Sequence, residues 1–443
     1  MQIDPKLDTS ALEKATLRRV TLRLMPFMMA CYFFALLDRV NVGFASLQMN
    51  KDIGLSPAIF GFGASLYFVS YFLLEVPSNL ALEKVGARYW ISRIMITWGL
   101  ISAGMAFVIG LKSFYVMRFL LGAAEAGFFP GAILFLTYWL PSIYRARFIA
   151  VFAISIPVAS FLGSPVSAWL LGLDGVLGLK GWQWLFISEG LPASLLGVAC
   201  LFVLTDRPVK AKWLTNEQRS WLVERIEKDS SQKAAIGHLS IWKLLRNRQF
   251  LMLTIVYSGA SVTGSVLAIW QPQILKSFGL TIMQTGLLNS VPYGIASILM
   301  ILWGRHSDRT NERRWHTALT LLLISAGLGS LALASGMLAP TVMLLSCALI
   351  GAYSLKGPFW ALASGTISPK TAAAGLAGVN AISNLLGGVG ISLVGMIKQY
   401  SGSFVIALLP VVLLTAVGGI SVLLMTREHP VKSAAETSST KTI

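Results

Sequence analysis

Twelve blocks of about twenty apolar residues run along the chain, the length that a helix needs to cross a hydrocarbon core of about 30 Å. A segment in lipid must satisfy its own backbone hydrogen bonds, so these blocks predict transmembrane helices. Only 12% of the residues are charged, whereas soluble domains have about 25%. The sequence therefore predicts an all-α polytopic membrane protein, with spans at residues 24–47, 57–80, 89–110, 113–138, 147–171, 183–204, 249–275, 284–304, 316–336, 339–363, 372–397 and 403–425.

A long polar stretch between the sixth and seventh spans divides the chain into two similar parts. Within this stretch, Thr215 is a predicted cap for a short surface helix, with the acidic Glu217 in its first turn. The predicted organisation is an N-terminal segment, a first six-helix bundle, a linker, a second six-helix bundle and a tail. Their respective bounds are 1–23, 24–204, 205–248, 249–425 and 426–443.

The net charge of +17 is unevenly distributed along the chain. The termini and the even-numbered loops would lie on one side of the membrane. Together with the adjoining ends of the spans they carry 28 Lys and Arg, whereas the odd-numbered loops carry 5. Because basic residues flank membrane helices on the cytoplasmic side, both termini are predicted to be cytoplasmic. The charge is thus assigned to topology, and no nucleic-acid partner is expected.

Features of enzymes and metal sites are missing from the sequence. The three cysteines lie inside apolar blocks at wide spacings, without a disulfide framework or a metal-ligand pattern. We find no nucleophile–base constellation and no phosphate loop in a plausible setting. The chain is therefore predicted to be neither an enzyme nor a metalloprotein.

The two halves share a weak repeat in corresponding loops. The chain reads "NLALEKVGAR" after the second span and "GRHSDRTNER" after the eighth. Repeated halves with a central site are typical of secondary transporters. We predict that the charged residues of both copies form a gate, although charge that only sets topology is the alternative. These residues are Glu83, Lys84, Arg88, Asp308, Arg309 and Arg313.

In the two loop repeats the chain resembles the major facilitator superfamily. It departs from the loop signature of that superfamily at Asn79, Glu83 and Asn311. The stretches "LDRVNVGFA", "YFLLEVPSNLALEKVGAR", "RFLLGAAEAGFFPG" and "GPFWALAS" look like its anion:cation symporter branch, and the resemblance covers about residues 20 to 425. The resemblance implies twelve helices in two pseudo-symmetric halves and function as a monomer in a bacterial inner membrane. It also implies organic anions as substrates, with the proton as coupling ion and no cofactor.

Ionisable residues deep inside the spans mark the predicted site, because a charge at the bilayer centre costs roughly 2.5–3.5 kcal/mol on insertion scales. Arg39 and Arg118 are permanent cations whose forked donors suit a carboxylate. Asp38 and Glu125 can bind and release a proton, and the resemblance implies the same two proton carriers. Structural pairing between helices, Asp38 with one arginine and Glu125 with another, is the alternative.

Lys356 places a cation in the second half, next to a Gly357-Pro358 pair that predicts a broken helix and a cavity. The alternative is a lysine that extends to the membrane surface. Uncharged polar and aromatic residues complete the predicted substrate site, and interhelical contact is the alternative for the two asparagines. These residues are Tyr71, Gln271, Trp360, Asn380 and Asn384. Glu75 and Glu189 are interpreted as structural.

Together these features predict a proton-coupled symporter that imports an organic carboxylate by alternating access. The third cation favours a dicarboxylate or a hydroxy-acid such as tartrate, followed by an aromatic acid or a sugar acid. The alternatives are a non-transporting receptor on the same fold and a proton-coupled antiporter or exporter. Ser164 interrupts the Gly-Pro pair common in antiporters of the superfamily, which favours symport.

Overall fold

The computed structural model describes residues 5–231, 246–366 and 372–424, and within them the chain is helical with no strand. The first half contains α1 to α7, and the linker contains α8. Their bounds are Pro5–Asp52, Pro57–Val85, Ala87–Gly104, Leu111–Glu125, Phe128–Thr137, Ser142–Leu171, Gly181–Val203 and Asn216–Ser231. The second half contains α9 to α15. Their bounds are Arg248–Lys276, Ile282–Thr310, Arg314–Gly329, Leu338–Ser354, Lys356–Thr366, Ala372–Ser401 and Phe404–Leu424.

Twelve segments of the described residues are long and apolar enough to cross a membrane, which confirms the predicted fold class. They coincide with the predicted spans to within a few residues at most ends. The first is longer than expected, because α1 begins at Pro5 and includes much of the predicted N-terminal segment. Glu13, Lys14 and Arg18 are good helix formers, so the polar sequence continues the helix instead of ending it.

The fourth and tenth spans each contain two helices in succession. In the fourth span, α4 ends at Glu125 and α5 begins at Phe128, with Gly127 at φ 86° between them. A left-handed backbone is inexpensive only for glycine, so Gly127 permits this break. In the tenth span, α12 ends at Ser354 and α13 begins at Lys356, but Leu355 between them keeps helical angles, φ −60° and ψ −36°. The break predicted from Gly357-Pro358 is therefore absent from the backbone, where Pro358 removes only one donor, and the break in the fourth span was not predicted.

The two halves pack against each other through α1 on α9, α2 on α14 and α6 on α10. Hydrogen bonds join them toward the end of the bundle at which α1 terminates. There, Gln399 Oε1 accepts from the Ser56 hydroxyl at 2.8 Å and from the Ala58 backbone N–H at 3.1 Å. Gln273 Nε2 donates to the Ser46 hydroxyl at 2.8 Å. The halves are therefore closed at this end, opposite the end that carries α8.

The linker helix begins as predicted, with Thr215 as its cap. Thr215 Oγ1 accepts from the Gln218 backbone N–H at 3.2 Å, and Gln218 Oε1 accepts from the Thr215 N–H at 3.3 Å. The helix docks on the first half, where the Ser142 N–H donates to Asp229 Oδ2 at 2.6 Å. This bond holds the pKa of Asp229 below its usual value. Residues 232–245 of the predicted linker and all of the predicted tail lie outside the described residues.

Candidate functional site

An ion pair between α1 and α4 lies at the centre of the first half. Arg39 Nε and Nη2 both lie 2.9 Å from Glu125 Oε1. Glu125 is only 1% exposed, but the Arg39 side chain is 32% exposed. The second carboxylate oxygen of Glu125, Oε2, is buried and has no hydrogen-bond partner among the described residues. The pair therefore combines an accessible guanidinium with a carboxylate that is only partly satisfied.

Two tyrosines on α2 lie beside the arginines. The Arg39 guanidinium carbon is 5.3 Å from the centre of the Tyr71 ring and 5.9 Å from that of Tyr67. Arg118 on α4 is 5.2 Å from the centre of the same Tyr67 ring, so both arginines lie beside this ring. The predicted substrate site included Tyr71 but not Tyr67, although residues four apart lie on one helix face.

Arg118 is buried, and it does not form the ion pair with Glu125 that their seven-residue spacing on α4 could suggest. Its Nε and Nη1 atoms have no hydrogen-bond partner within the described ranges. A buried guanidinium with unused donors is costly unless an acceptor reaches it. Arg118 is therefore suited to receive an anionic group.

Asp38 has surroundings different from those of its neighbour Arg39. Its carboxylate accepts from Trp98 Nε1 at 2.8 Å, from Asn41 Nδ2 at 2.9 Å and from the Ser102 hydroxyl. The two neighbours contact different parts of the bundle, as expected for side chains about 100° apart on a helix. In the described chain, Asp38 forms no salt bridge with an arginine, and the alternative pairing holds only for Glu125.

The second half contributes Lys356 and a group of aromatic rings. Lys356 Nζ lies 4.8 Å from the centre of the Tyr353 ring, and the Tyr257 and Trp360 rings are 4.7 Å apart. Lys356 is within electrostatic range of Arg39. The predicted cations of the two halves therefore face the same central region, as a substrate with two anionic groups requires.

The predicted amide side chains of the second half differ in their partners. Gln271 is fully buried, and neither of its amide atoms has a hydrogen bond among the described residues. Asn384 Oδ1 accepts from the Ser261 hydroxyl at 3.3 Å and so links α14 to α9, while Asn380 is half-buried. Ser354, which the sequence did not indicate, also has a buried hydroxyl without a partner. Gln271 and Ser354 thus have hydrogen-bonding capacity left for a ligand.

Both copies of the loop repeat have a positive φ at the matching position, with different ψ angles. Gly86 has φ 98° and ψ 147° in the first copy, and Asn311 has φ 51° and ψ 27° in the second. Asparagine is among the few residues that adopt left-handed φ readily. This explains why the second copy can lack the glycine of the superfamily signature.

The predicted gate residues that make polar contacts do so without joining the two halves. Arg313 Nη1 lies 2.6 Å from Asp308 Oδ1 in the second half, and the Arg88 backbone N–H donates at 2.9 Å to Oδ1 of Asp206, at the start of the linker. The other three, Glu83, Lys84 and Arg309, are exposed. A latch between the halves therefore remains a prediction for another conformation.

Twelve spans in two six-helix halves, with buried charges directed at a shared centre, define a membrane transporter. The chain belongs to the Major Facilitator Superfamily, whose sequence model matches residues 28–391. A protein of Agrobacterium vitis named "Putative tartrate transporter" is 48% identical over 424 residues, covering 95% of this chain and 94% of that protein. A "Quinolone resistance transporter" of Acinetobacter baumannii is 40% identical over 394 residues, covering 88% and 90%.

A solved structure shows the same fold. It is described as "Inward open conformation of the xylose transporter XylE from E. coli" and matches with a TM-score of 0.71 at 14% identity, covering 92% of this chain and 98% of that one. The predictions of the superfamily, of a membrane transporter and of a protein that is not an enzyme are confirmed.

Proposed function

We propose that this transporter is a proton-coupled symporter that imports an organic carboxylate. The observation that carries the proposal is the Arg39–Glu125 pair, in which the guanidinium is accessible and the carboxylate is buried. Arginine stays protonated in proteins and binds carboxylates with two donors, while a carboxylate can gain or lose a proton. One ion pair thus supplies both an anion-binding group and a proton-binding group.

The proposed cycle begins when Glu125 Oε2, the oxygen without a partner, takes a proton. Neutralising Glu125 weakens its bond to Arg39, and Arg39 Nε and Nη2 then donate to the substrate carboxylate. Replacing two bare charges by neutralised partners lowers the barrier to rocking of the halves, because an unpaired charge is costly at low dielectric. On the other side the proton and the anion leave, and the Arg39–Glu125 pair forms again.

A dicarboxylate such as tartrate is the proposed substrate class. Arg39 and Lys356 lie in different halves and within electrostatic range of each other, so they can bind the two ends of one anion. The relatives named "Putative tartrate transporter" support this choice, and the aromatic group around Trp360 keeps an aromatic acid as the next candidate. Tyr71, Gln271 and the two predicted asparagines would bind hydroxyl groups or the second carboxylate.

For orientation, we propose a monomer in a bacterial inner membrane with both termini in the cytoplasm. The excess of Lys and Arg on the side of the termini supports this arrangement. The closed end of the bundle, where Gln399 meets Ser56, then faces outward. The structure accordingly corresponds to the inward-facing stage of the cycle, after the anion has left and the ion pair has re-formed.

The test is uptake of labelled tartrate into proteoliposomes with an imposed inward proton gradient. Wild type and the control Glu217→Gln, an exposed acid on α8, are expected to accumulate the anion. Glu125→Gln is expected to exchange tartrate across the membrane without accumulating it. Accumulation by Glu125→Gln would show that Glu125 is not the coupling group, and no transport of tartrate, aromatic acids or sugar acids would favour a receptor.

Export is the second candidate, because one relative is named for quinolone resistance. The same vesicles distinguish it when the proton gradient is reversed. An antiporter would accumulate substrate only with the proton gradient directed outward, whereas a symporter requires it to be directed inward.

A further inference from the structure

A second group of buried polar side chains lies apart from the Arg39–Glu125 pair. It comprises Asp38 and Asn41 of α1, Ser167 of α6 and Glu189 of α7, and we name it the inner acid cluster. The exposed fractions of these residues are 2%, 0%, 1% and 4%. Asp38 and Glu189 are close enough to interact electrostatically, and Asn41 lies near both acids. The cluster therefore holds two buried acids around one amide.

Hydrogen-bond donors are distributed unequally between the two acids. Asp38 accepts three hydrogen bonds, from Asn41, Trp98 and Ser102. Glu189 accepts one long bond, from the Ser167 hydroxyl to Oε1 at 3.3 Å, and its Oε2 has no partner in the described chain. An anion in the protein interior requires such donors, so Asp38 is equipped to be ionised and Glu189 is not.

Asn41 also has a buried oxygen without a hydrogen bond. Its Nδ2 donates to Asp38, which fixes the orientation of the amide, and its Oδ1 is buried without a partner among the described residues. Rotating the amide by 180° would place an acceptor against Asp38. Glu189 Oε2 is likewise an acceptor without a donor as long as Glu189 is ionised. A proton on Oε2 removes the buried charge that lacks a donor.

We infer that Glu189 carries a second coupling proton, held on Oε2 in this conformation. The charged groups within electrostatic range of Asp38 are Arg118, Glu125 and Glu189. The proton leaves from Oε2, and the Glu189 carboxylate that remains accepts from Ser167. This inference rests on the proposed proton coupling and raises the number of protons per substrate to two, one on Glu125 and one on Glu189.

The test measures how many protons accompany each tartrate, in vesicles with the membrane voltage held at zero. Two protons are expected for wild type and one for Glu189→Gln. Each coupled proton multiplies the accumulation ratio by ten for one pH unit of gradient, so Glu189→Gln should accumulate about tenfold less. Exchange of tartrate without a gradient should be retained. Asp52→Asn, an acid at the exposed end of α1, should behave as wild type.

An unchanged proton count in Glu189→Gln overturns the inference and leaves Glu189 as a permanently neutral structural group. Uptake in wild type driven by Na⁺ at equal pH, and lost in Glu189→Gln, would also overturn it. No proton coupling in wild type defeats the proposed function as well, so the two failures are distinguishable. If Glu189→Gln does not fold, Ser167→Ala removes the one donor to Oε1 and should move the pH midpoint of uptake to higher pH. A midpoint equal to that of wild type contradicts the inference.

Discussion

The fourth and tenth spans of this transporter carry charges of opposite sign in different backbone settings. Glu125 is the last residue of α4, where the helix ends, and the C-terminal end of a helix carries a partial negative charge. Lys356 follows Leu355, which keeps helical backbone angles, so no free helix end lies beside it. The break after Glu125 thus favours binding of a proton, and the charge of Lys356 itself favours binding of an anion.

Glu125 and Lys356 also differ in whether an oppositely charged side chain lies beside them. Glu125 is paired with Arg39, so in the first half anion binding and proton binding exclude each other unless the pair opens. Lys356 has no carboxylate within 4 Å among the described residues and lies over the Tyr353 ring. Its charge is therefore available to an anion in this conformation. We expect the first half to control coupling and the second half to control substrate preference.

The largest effect is expected for Arg39→Lys, which keeps the charge but removes the forked donors. Exchange of labelled tartrate should fall by about 100-fold, since a hydrogen bond to a charged group contributes about 1.5–3 kcal/mol. Arg19→Lys, at an exposed position of the same helix, is the matched control. An effect on exchange equal to that of the control would mean that Arg39 serves only the structure.

Lys356→Met should affect substrates according to their charge. Tartrate should bind about 30-fold more weakly, since one charge-assisted contact of about 2 kcal/mol is lost. A monocarboxylate of similar size should bind with nearly unchanged affinity. The measurement is competition against labelled tartrate exchange, with both unlabelled acids tested on wild type and the variant. An equal loss for the two acids would remove the distinction between the halves.

Some of this arrangement could be predicted from sequence, because it depends on residues near each other in the chain. The spans follow from their length and the cap of α8 from Thr215. The separation of Asp38 and Arg39 onto different partners follows from the 100° step of a helix. Each of these features is determined within one segment.

The remaining features depend on how helices sit beside one another. Glu125 pairs with Arg39 of α1 and not with Arg118 of its own helix, which requires the relative rotation and depth of two helices. The position of Asn41 near acids from two different helices has the same origin. The break after Glu125 was missed because Gly127 lies in an otherwise apolar run, and its φ of 86° leaves no periodic signal. Periodicity reports which face is apolar and not which partner it meets.

The break after Glu125 can itself be tested with Gly127→Ala. Alanine at φ 86° costs about 1–2 kcal/mol, and the added Cβ would lie 2.5 Å from the Ser78 hydroxyl. We expect a lower thermal unfolding temperature in detergent and slower exchange of tartrate. Gly365→Ala is the control, since no atom lies within 4 Å of the position of its Cβ. If the two variants unfold alike, the backbone at Gly127 is less constrained than its conformation indicates.

The smallest effect is expected for Asp229→Asn, because Asp229 lies in the linker helix α8 and outside the spans. The Ser142 N–H lowers the pKa of Asp229, so in wild type the contact of α8 with α6 is fully present above the usual aspartate pKa and is lost as the pH falls through the lowered value. In Asp229→Asn this pH dependence should vanish. Hydrogen exchange at the Ser142 amide measures the contact, and it should be faster in the variant at neutral pH.

Tartrate exchange should change by less than about twofold, because neither Glu125 nor Lys356 is altered. A large loss of transport in this variant would mean that movement of the halves depends on the docked position of α8 as well as on Glu125 and Lys356.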